Sequence, residues 1–234
     1  MKQVKVFFIP YAGASTTAYY SWKRLFPENY DICLPELAGR GERSKTPFYK
    51  NVDEAVIDLS EAISSCVGTD RYVIFGHSMG ALFAYEVYHR FLENNQPLPE
   101  HMFFSGRKPP DMEMPGRFVY KYDDIKLLNA VSYYGGVTEA MRDPDVMKYY
   151  LPIIRADFTM LGKHAFRPKA EKIRCGVSVL YGDQDYSTPW FDVEHWEEHT
   201  QNGCRIYKIH GDHFFINQET PEVVKIMIDT MTQM

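Results

Sequence analysis

Short runs rich in β-branched and aromatic residues alternate with longer amphipathic stretches along most of this 234-residue chain. That alternation restricts the fold more than any other feature, because parallel strands cannot be joined by a tight turn and need a crossover, usually a helix. The runs Val4 to Ile9, Tyr30 to Leu34, Tyr72 to Phe75, His101 to Ser105, Val177 to Tyr181 and Arg205 to Ile209 read as strands. Between them, Val52 to Cys66 sets Val56, Leu59, Ala62 and Ile63 at helical spacing, and Ala81 to Phe91 carries Leu82, Tyr85, Val87 and Tyr88. Thr220-Pro221 opens a last helix to Met231, with Thr220 as its cap. The expected fold is α/β, a mostly parallel central sheet flanked by helices. A chain of this size buries about three quarters of its surface in one core, so residues 1–234 are expected to form one domain.

One segment breaks the pattern. From Lys108 to Lys172 no strand is apparent, and Pro109, Pro110, Pro115, Pro144, Pro152 and Pro168 punctuate short helical pieces such as Ile125 to Ser132 and Asp145 to Ile154. Ordering so long an excursion costs entropy that something must offset. Residues 108–172 are therefore expected to be a lid insertion, helical and mobile, over the carboxyl edge of the sheet.

Charge and cysteine usage exclude several classes. Lys+Arg 26 against Asp+Glu 31 leaves a net charge of −5 with no basic block, which argues against nucleic acid and anionic membranes as partners. The apolar run Val6 to Ile9 is stopped by Pro10, too short for a secretory leader, and no run is long enough to span a membrane. Cys33, Cys66, Cys175 and Cys204 lie far apart, without metal-ligand spacing, so the expectation is a cytoplasmic protein with no metal and no cofactor.

Gly76-His77-Ser78-Met79-Gly80 falls between an expected strand and an expected helix, the setting of a nucleophile elbow. Ser78 must then adopt a strained backbone at a sharp turn, where side chains at positions 76 and 80 would collide. A serine hydroxyl needs a base and an orienting carboxylate. Both follow in order: Gly182-Asp183-Gln184-Asp185 after one strand, and His210-Gly211-Asp212-His213-Phe214-Phe215 after the next. Asp185 is the expected acid, since Asp183 beside Gly182 suits a turn held through its own backbone. His213 is the expected base, because His210 would still belong to the strand and Phe214-Phe215 could wedge His213 in place. His77 diverges from Ser78 at the elbow and is expected in the pocket wall. The oxyanion hole calls for two N–H donors: Met79 after the nucleophile, and Ala12 or else Tyr11 in the loop Pro10 to Ser15, whose Ala-Gly-Ala could also simply permit a tight turn.

These residues carry a resemblance to the type II thioesterases, stand-alone α/β-hydrolases that accompany nonribosomal peptide and polyketide synthases. Phe8 to Ala14 is similar to the family's opening segment, Leu34 to Arg43 to its Pro-Gly-Arg-Glu-x-Arg stretch, Gly76 to Gly80 to its nucleophile motif, Tyr134-Gly135-Gly136 and Leu151 to Phe158 to its lid, and Gly211 to Phe215 to its Gly-Gly-His-Phe-Phe. Tyr11 stands in place of a usual His, Ala14 and Asp212 in place of glycines, and Leu37-Ala38 in place of a single proline; these changes bear on pocket shape and leave the triad complete. The resemblance implies a thioesterase that clears acyl groups from the phosphopantetheine arm of an acyl or peptidyl carrier protein through an acyl-Ser78 intermediate; separately, the protein is expected to be a monomer. A carboxylesterase or lactonase, or a catalytically silent binding module, are the rival readings. Tyr11, His77, Tyr134, Phe158 and Phe214 are expected to contact substrate, with Tyr133, Tyr149 and Tyr150 also facing an acyl chain from the lid. Carrier proteins are generally acidic, so Arg40, Arg43, Lys45, Lys108, Lys163 and Lys169 are the candidates for a local basic docking patch.

Overall fold

A computed structural model describes residues 4–134 and 143–234. Gly135 and Gly136 of the lid resemblance lie outside the described residues. Six strands, β1 (Val4–Ile9), β2 (Tyr30–Cys33), β3 (Arg71–His77), β4 (His101–Ser105), β5 (Gly176–Gly182) and β6 (Arg205–Ile209), form one sheet in the order β2-β1-β3-β4-β5-β6. Every pairing is parallel. The helices are α1 (Val52–Val67), α2 (Met79–Glu93), α3 (Asp124–Tyr133), α4 (Pro144–Lys163), the short α5 (Trp190–Val193) and α6 (Phe215–Gln218), and α7 (Thr220–Thr232).

Period-two alternation in the strands divides the core into two layers. Phe7 and Ile9 of β1, Tyr72 and Ile74 of β3, Met102 and Phe104 of β4, and Val177 and Val179 of β5 face α1 and α2. Val4, Val6 and Phe8, Val73 and Phe75, Phe103 and Leu180 face the opposite side, where α7 and the 3-10 turns carrying Tyr19 and Trp22 cover them. Strands buried on both faces read as almost unbroken apolar runs, which is why they stand out in the sequence.

The insertion departs most from expectation. The helical piece expected at Asp145 to Ile154 proves much longer: α4 spans 20 residues, with Pro152 inside it. The proline removes one backbone hydrogen bond, but Ile153, Ile154 and Met160 are buried on one face and hold the helix across the gap. α3 and α4 enclose a small core of their own, with Leu127, Val131 and Ile154 against Val119. Thr220 is not the cap of α7: it is the first helical residue, and its hydroxyl donates back to the Ile216 carbonyl oxygen at 2.6 Å.

Candidate active site

β3 delivers the elbow. It runs through Gly76 to His77, and α2 begins at Met79, leaving Ser78 between them at φ 53° and ψ −110°. A side chain at Gly76 would strike the Gly80 carbonyl, and one at Gly80 would strike the Ile9 carbonyl of β1, so the turn closes only with glycine at both positions. The Ser78 N–H donates to the Ser105 carbonyl oxygen at 2.8 Å, which ties the strained residue to the end of β4.

The loops after β5 and β6 bring the partners over. Asp183 N–H donates to Ile209 O at 2.8 Å and Gln184 N–H to Gly211 O at 2.9 Å, which zips the two loops together. Asp183 accepts the Gly211 N–H at 3.0 Å, so it serves the neighbouring loop and not its own turn as expected. His213 Nε2 lies 3.1 Å from Ser78 Oγ, and Nδ1 lies 2.7 Å from Asp185 Oδ2. Asp185 also accepts from the Ser187 N–H at 2.9 Å, the Ser187 hydroxyl at 2.5 Å and the Thr188 hydroxyl at 2.7 Å. Burial alone would raise its carboxyl, but the bond and charge of His213, with the two hydroxyls, hold it well below the usual carboxylate range. Such a chain can draw the Ser78 proton to Nε2 while Asp185 stays ionised. Ser187 and Thr188 escaped the sequence reading, although a carboxylate followed two and three residues later by hydroxyls is a recognisable self-capping turn.

In the loop after β1, Gly13 turns the chain at φ 81°. Ala14 N–H donates to Tyr11 O at 3.1 Å and Gly13 N–H to Asp157 Oδ2 at 2.8 Å, while Ala12 beside them lines the cavity over Ser78. Met79 is the first residue of α2, where an N–H has no preceding turn to bond and can meet an anion.

A cavity of about 190 Å³ opens above Ser78 and His213, far larger than the ~15 Å³ needed to hold one water. Tyr11, Ala12 and Phe214 line it from the body; Val131, Tyr134, Phe158 and Leu161 come from α3, α4 and the residue after α3. The structure corrects several expectations here. His77 is not in the wall: it is fully buried beneath the site, its Nδ1 2.9 Å from Ser105 Oγ and its ring centroid 5.1 Å from that of His213. Burial, with the neighbouring His213, pushes it well below the ordinary histidine value, so it sits neutral. Tyr133 points to solvent at 77% exposure, and Tyr149, half exposed, accepts the Gly41 N–H. Neither they nor Tyr150 lines the cavity. Four of the six candidates for a basic patch are tied up in ion pairs, while Lys45 and Lys163 are exposed. Arg40 is buried on Asp157, and Arg43, Lys108 and Lys169 pair with Asp58, Asp192 and Glu86. Arg107, which the sequence reading passed over, lines the cavity; burial brings its guanidinium down to about 10.

A parallel sheet with a strained serine on the β3–α2 elbow, and an acid and a histidine in the loops after β5 and β6, defines an α/β-hydrolase. The chain belongs to the thioesterase family, whose domain matches residues 4–231. It is 29% identical to the linear gramicidin dehydrogenase LgrE of Brevibacillus parabrevis over 98% of this chain and 88% of that protein. The gramicidin S biosynthesis protein GrsT of Aneurinibacillus migulanus is 27% identical, over 96% of this chain and 88% of its own. Among solved structures, ClbQ from the colibactin NRPS/PKS pathway matches with a TM-score of 0.94 at 28% identity, covering 99% and 98% of the two chains. The type II thioesterase BorB from the borrelidin cluster matches at 0.88 and 25% identity, covering 97% and 92%.

Proposed function

We propose that this protein hydrolyses acyl thioesters borne on the phosphopantetheine arm of the carrier proteins of a nonribosomal peptide or polyketide synthase. The observation that carries the reading is the hydrogen-bonded chain Ser78–His213–Asp185 at the floor of a largely apolar cavity, in a chain of the thioesterase family. Similarity to proteins of gramicidin, colibactin and borrelidin biosynthesis supports it. LgrE is named a dehydrogenase; the turn after β1 here reads Pro-Tyr-Ala-Gly-Ala-Ser and lacks the Gly-x-Gly-x-x-Gly of a dinucleotide-binding turn.

Ser78 Oγ attacks the thioester carbonyl carbon as its proton passes to His213 Nε2. The carbonyl oxygen takes up the electron pair and becomes an oxyanion, held by the N–H groups of Met79 and Ala12. Collapse of this intermediate breaks the C–S bond, and the departing sulfur receives the proton from His213. A thiol with a pKa of about 8.5 leaves readily, so most of the barrier falls to activation of Ser78 and to the oxyanion donors. Water then attacks the acyl-Ser78 ester with His213 again as base, releasing the acid. Tyr11, Tyr134, Phe158 and Phe214 flank the acyl group. The protein acts as a monomer in a reducing, cytoplasmic setting. Its four cysteines are free, and burial pushes the Cys33 and Cys175 thiols up to about 12, leaving them inert as nucleophiles.

Acetyl and longer acyl groups presented on carrier protein, on coenzyme A and on a simple oxygen ester test the reading. Carrier-bound thioesters are expected to turn over fastest, and Ser78→Ala, His213→Ala and Asp185→Asn each to lose most of the rate, by roughly 10³-fold or more. Full activity in Ser78→Ala would refute the mechanism; turnover of oxygen esters alone would replace the thioesterase reading with a carboxylesterase.

A further inference from the structure

Asp157 lies among Ile153, Ile154 and Met160 on the buried face of α4, an unusual place for a carboxylate. Its side chain is 3% exposed and that of its partner Arg40 is 1% exposed. The pair is bidentate, with Arg40 Nη1 donating to Oδ2 at 2.7 Å and Nη2 to Oδ1 at 2.6 Å. Both groups also reach the loop after β1: Oδ2 accepts the Gly13 N–H at 2.8 Å, and Arg40 Nη1 donates to the Ala14 carbonyl at 3.1 Å. Stability does not explain such a pair, because two charges taken from water recover little more than an apolar pair of the same volume. Its position does. It grips the backbone on the far side of Ala12, on a loop whose Ala14 N–H already closes back onto Tyr11. Ile154, one turn before Asp157, fills the space beside Gly13 and blocks the loop from relaxing that way.

We infer that Asp157 and Arg40 are positioning residues, which hold loop 11–14 so that the Ala12 N–H stands where the thioester oxygen becomes an oxyanion. The inference rests on the proposed acyl-Ser78 mechanism and adds how its second donor is kept in place. It also separates the insertion into two parts: α4 is riveted to the hydrolase body at Asp157, so the oxyanion loop is complete only with α4 docked.

Two variants test this. Asp157→Asn keeps an acceptor but strands the Arg40 charge; the double variant Arg40→Met, Asp157→Leu removes both charges at similar volume and guards against a failure to fold. Three readouts are taken on each: steady-state hydrolysis, binding of an acyl trifluoromethyl ketone, and hydrogen exchange at the Gly13 amide. Addition of Ser78 Oγ to the ketone carbon, with its proton moving to His213, turns the ketone oxygen into an oxyanion, so its affinity reports the hole; a thioether analogue, which forms none, reports ordinary binding. In the double variant kcat and ketone affinity are expected to fall together by roughly 10²–10³-fold, as for loss of one oxyanion donor, with KM and thioether affinity unchanged. Gly13 exchange is expected to accelerate in both. Folded variants that keep wild-type kcat and ketone affinity, that lose ketone and thioether affinity equally, or that protect Gly13 as the wild type does, would overturn the inference. A wild-type protein inactive on every thioester would instead count against the proposed function, and Gly13 exchange would still decide the placement.

Discussion

Lowering the pH from 7.5 to 5 should destabilise this protein through its buried histidines, well before any carboxylate titrates. His77, His89 and His101 are 0%, 2% and 6% exposed. Burial holds His77 far below the ordinary 6.5, with His89 at about 3 and His101 at about 4. Each is neutral in the folded protein at pH 5, while in the unfolded chain each is protonated. The unfolded state therefore binds more protons, so stability is complete at neutral pH and is lost as pH falls through 6.5 towards the folded values. With 1.36 kcal/mol per pH unit, His89 and His101 each withdraw about 2 kcal/mol at pH 5, about 4 kcal/mol together, and His77 acts in the same direction. That is of the same order as the 5–15 kcal/mol that holds a typical domain together. Asp185 acts with the same sign but only below about pH 4, because its unfolded carboxyl titrates there. His195, exposed and raised by Glu198, opposes the effect weakly. Urea unfolding at pH 7.5, 6 and 5 measures the slope directly. His101→Gln, which removes a ring 2.9 Å from Ser178 Oγ, should reduce the loss between pH 7.5 and 5 by about 2 kcal/mol whatever it does to stability at pH 7.5. A wild-type loss below about 2 kcal/mol between pH 7.5 and 5, worth a single histidine, would refute the reasoning.

Gly80→Ala places a methyl against the Ile9 carbonyl at the point where α2 crosses β1, and should both destabilise the protein by several kcal/mol, on the order of an overpacked core, and abolish hydrolysis; a wild-type melting temperature in this variant would contradict the elbow geometry. Phe158→Ala should enlarge the cavity and shift preference towards longer acyl chains, read as kcat/KM across a chain-length series, whereas an unchanged profile would remove Phe158 from the acyl wall. Amide exchange should be faster over residues 108–134 than in β3 and β4, with the Asp157 turn of α4 protected like the sheet; uniform slow exchange throughout would count against a mobile lid.

The strands were legible because burial on both faces leaves a nearly continuous apolar run, and the elbow because Gly-x-Ser-x-Gly at a strand-to-helix turn answers a steric demand that only glycine meets. Asp185 and His213 were legible by chain order. His77 was misplaced because sequence adjacency to Ser78 does not reveal that Gly106 and Phe215 close around its ring. Arg40 was misread because an arginine in a polar stretch looks solvated until its partner, 117 residues away, is brought beside it. The helix expected over Asp145 to Ile154 was read too short because the packing that carries α4 on to Lys163 is supplied by other elements.

What is local could be read along the chain: which segments are strands, where the strained serine must sit, and which loops carry an acid and a base. Which side chains meet could not, since that depends on distant loops converging at one sheet edge. The tertiary structure set His213 against Ser78, gave Asp185 its two hydroxyl donors, and placed a buried carboxylate from α4 on the amide of Gly13.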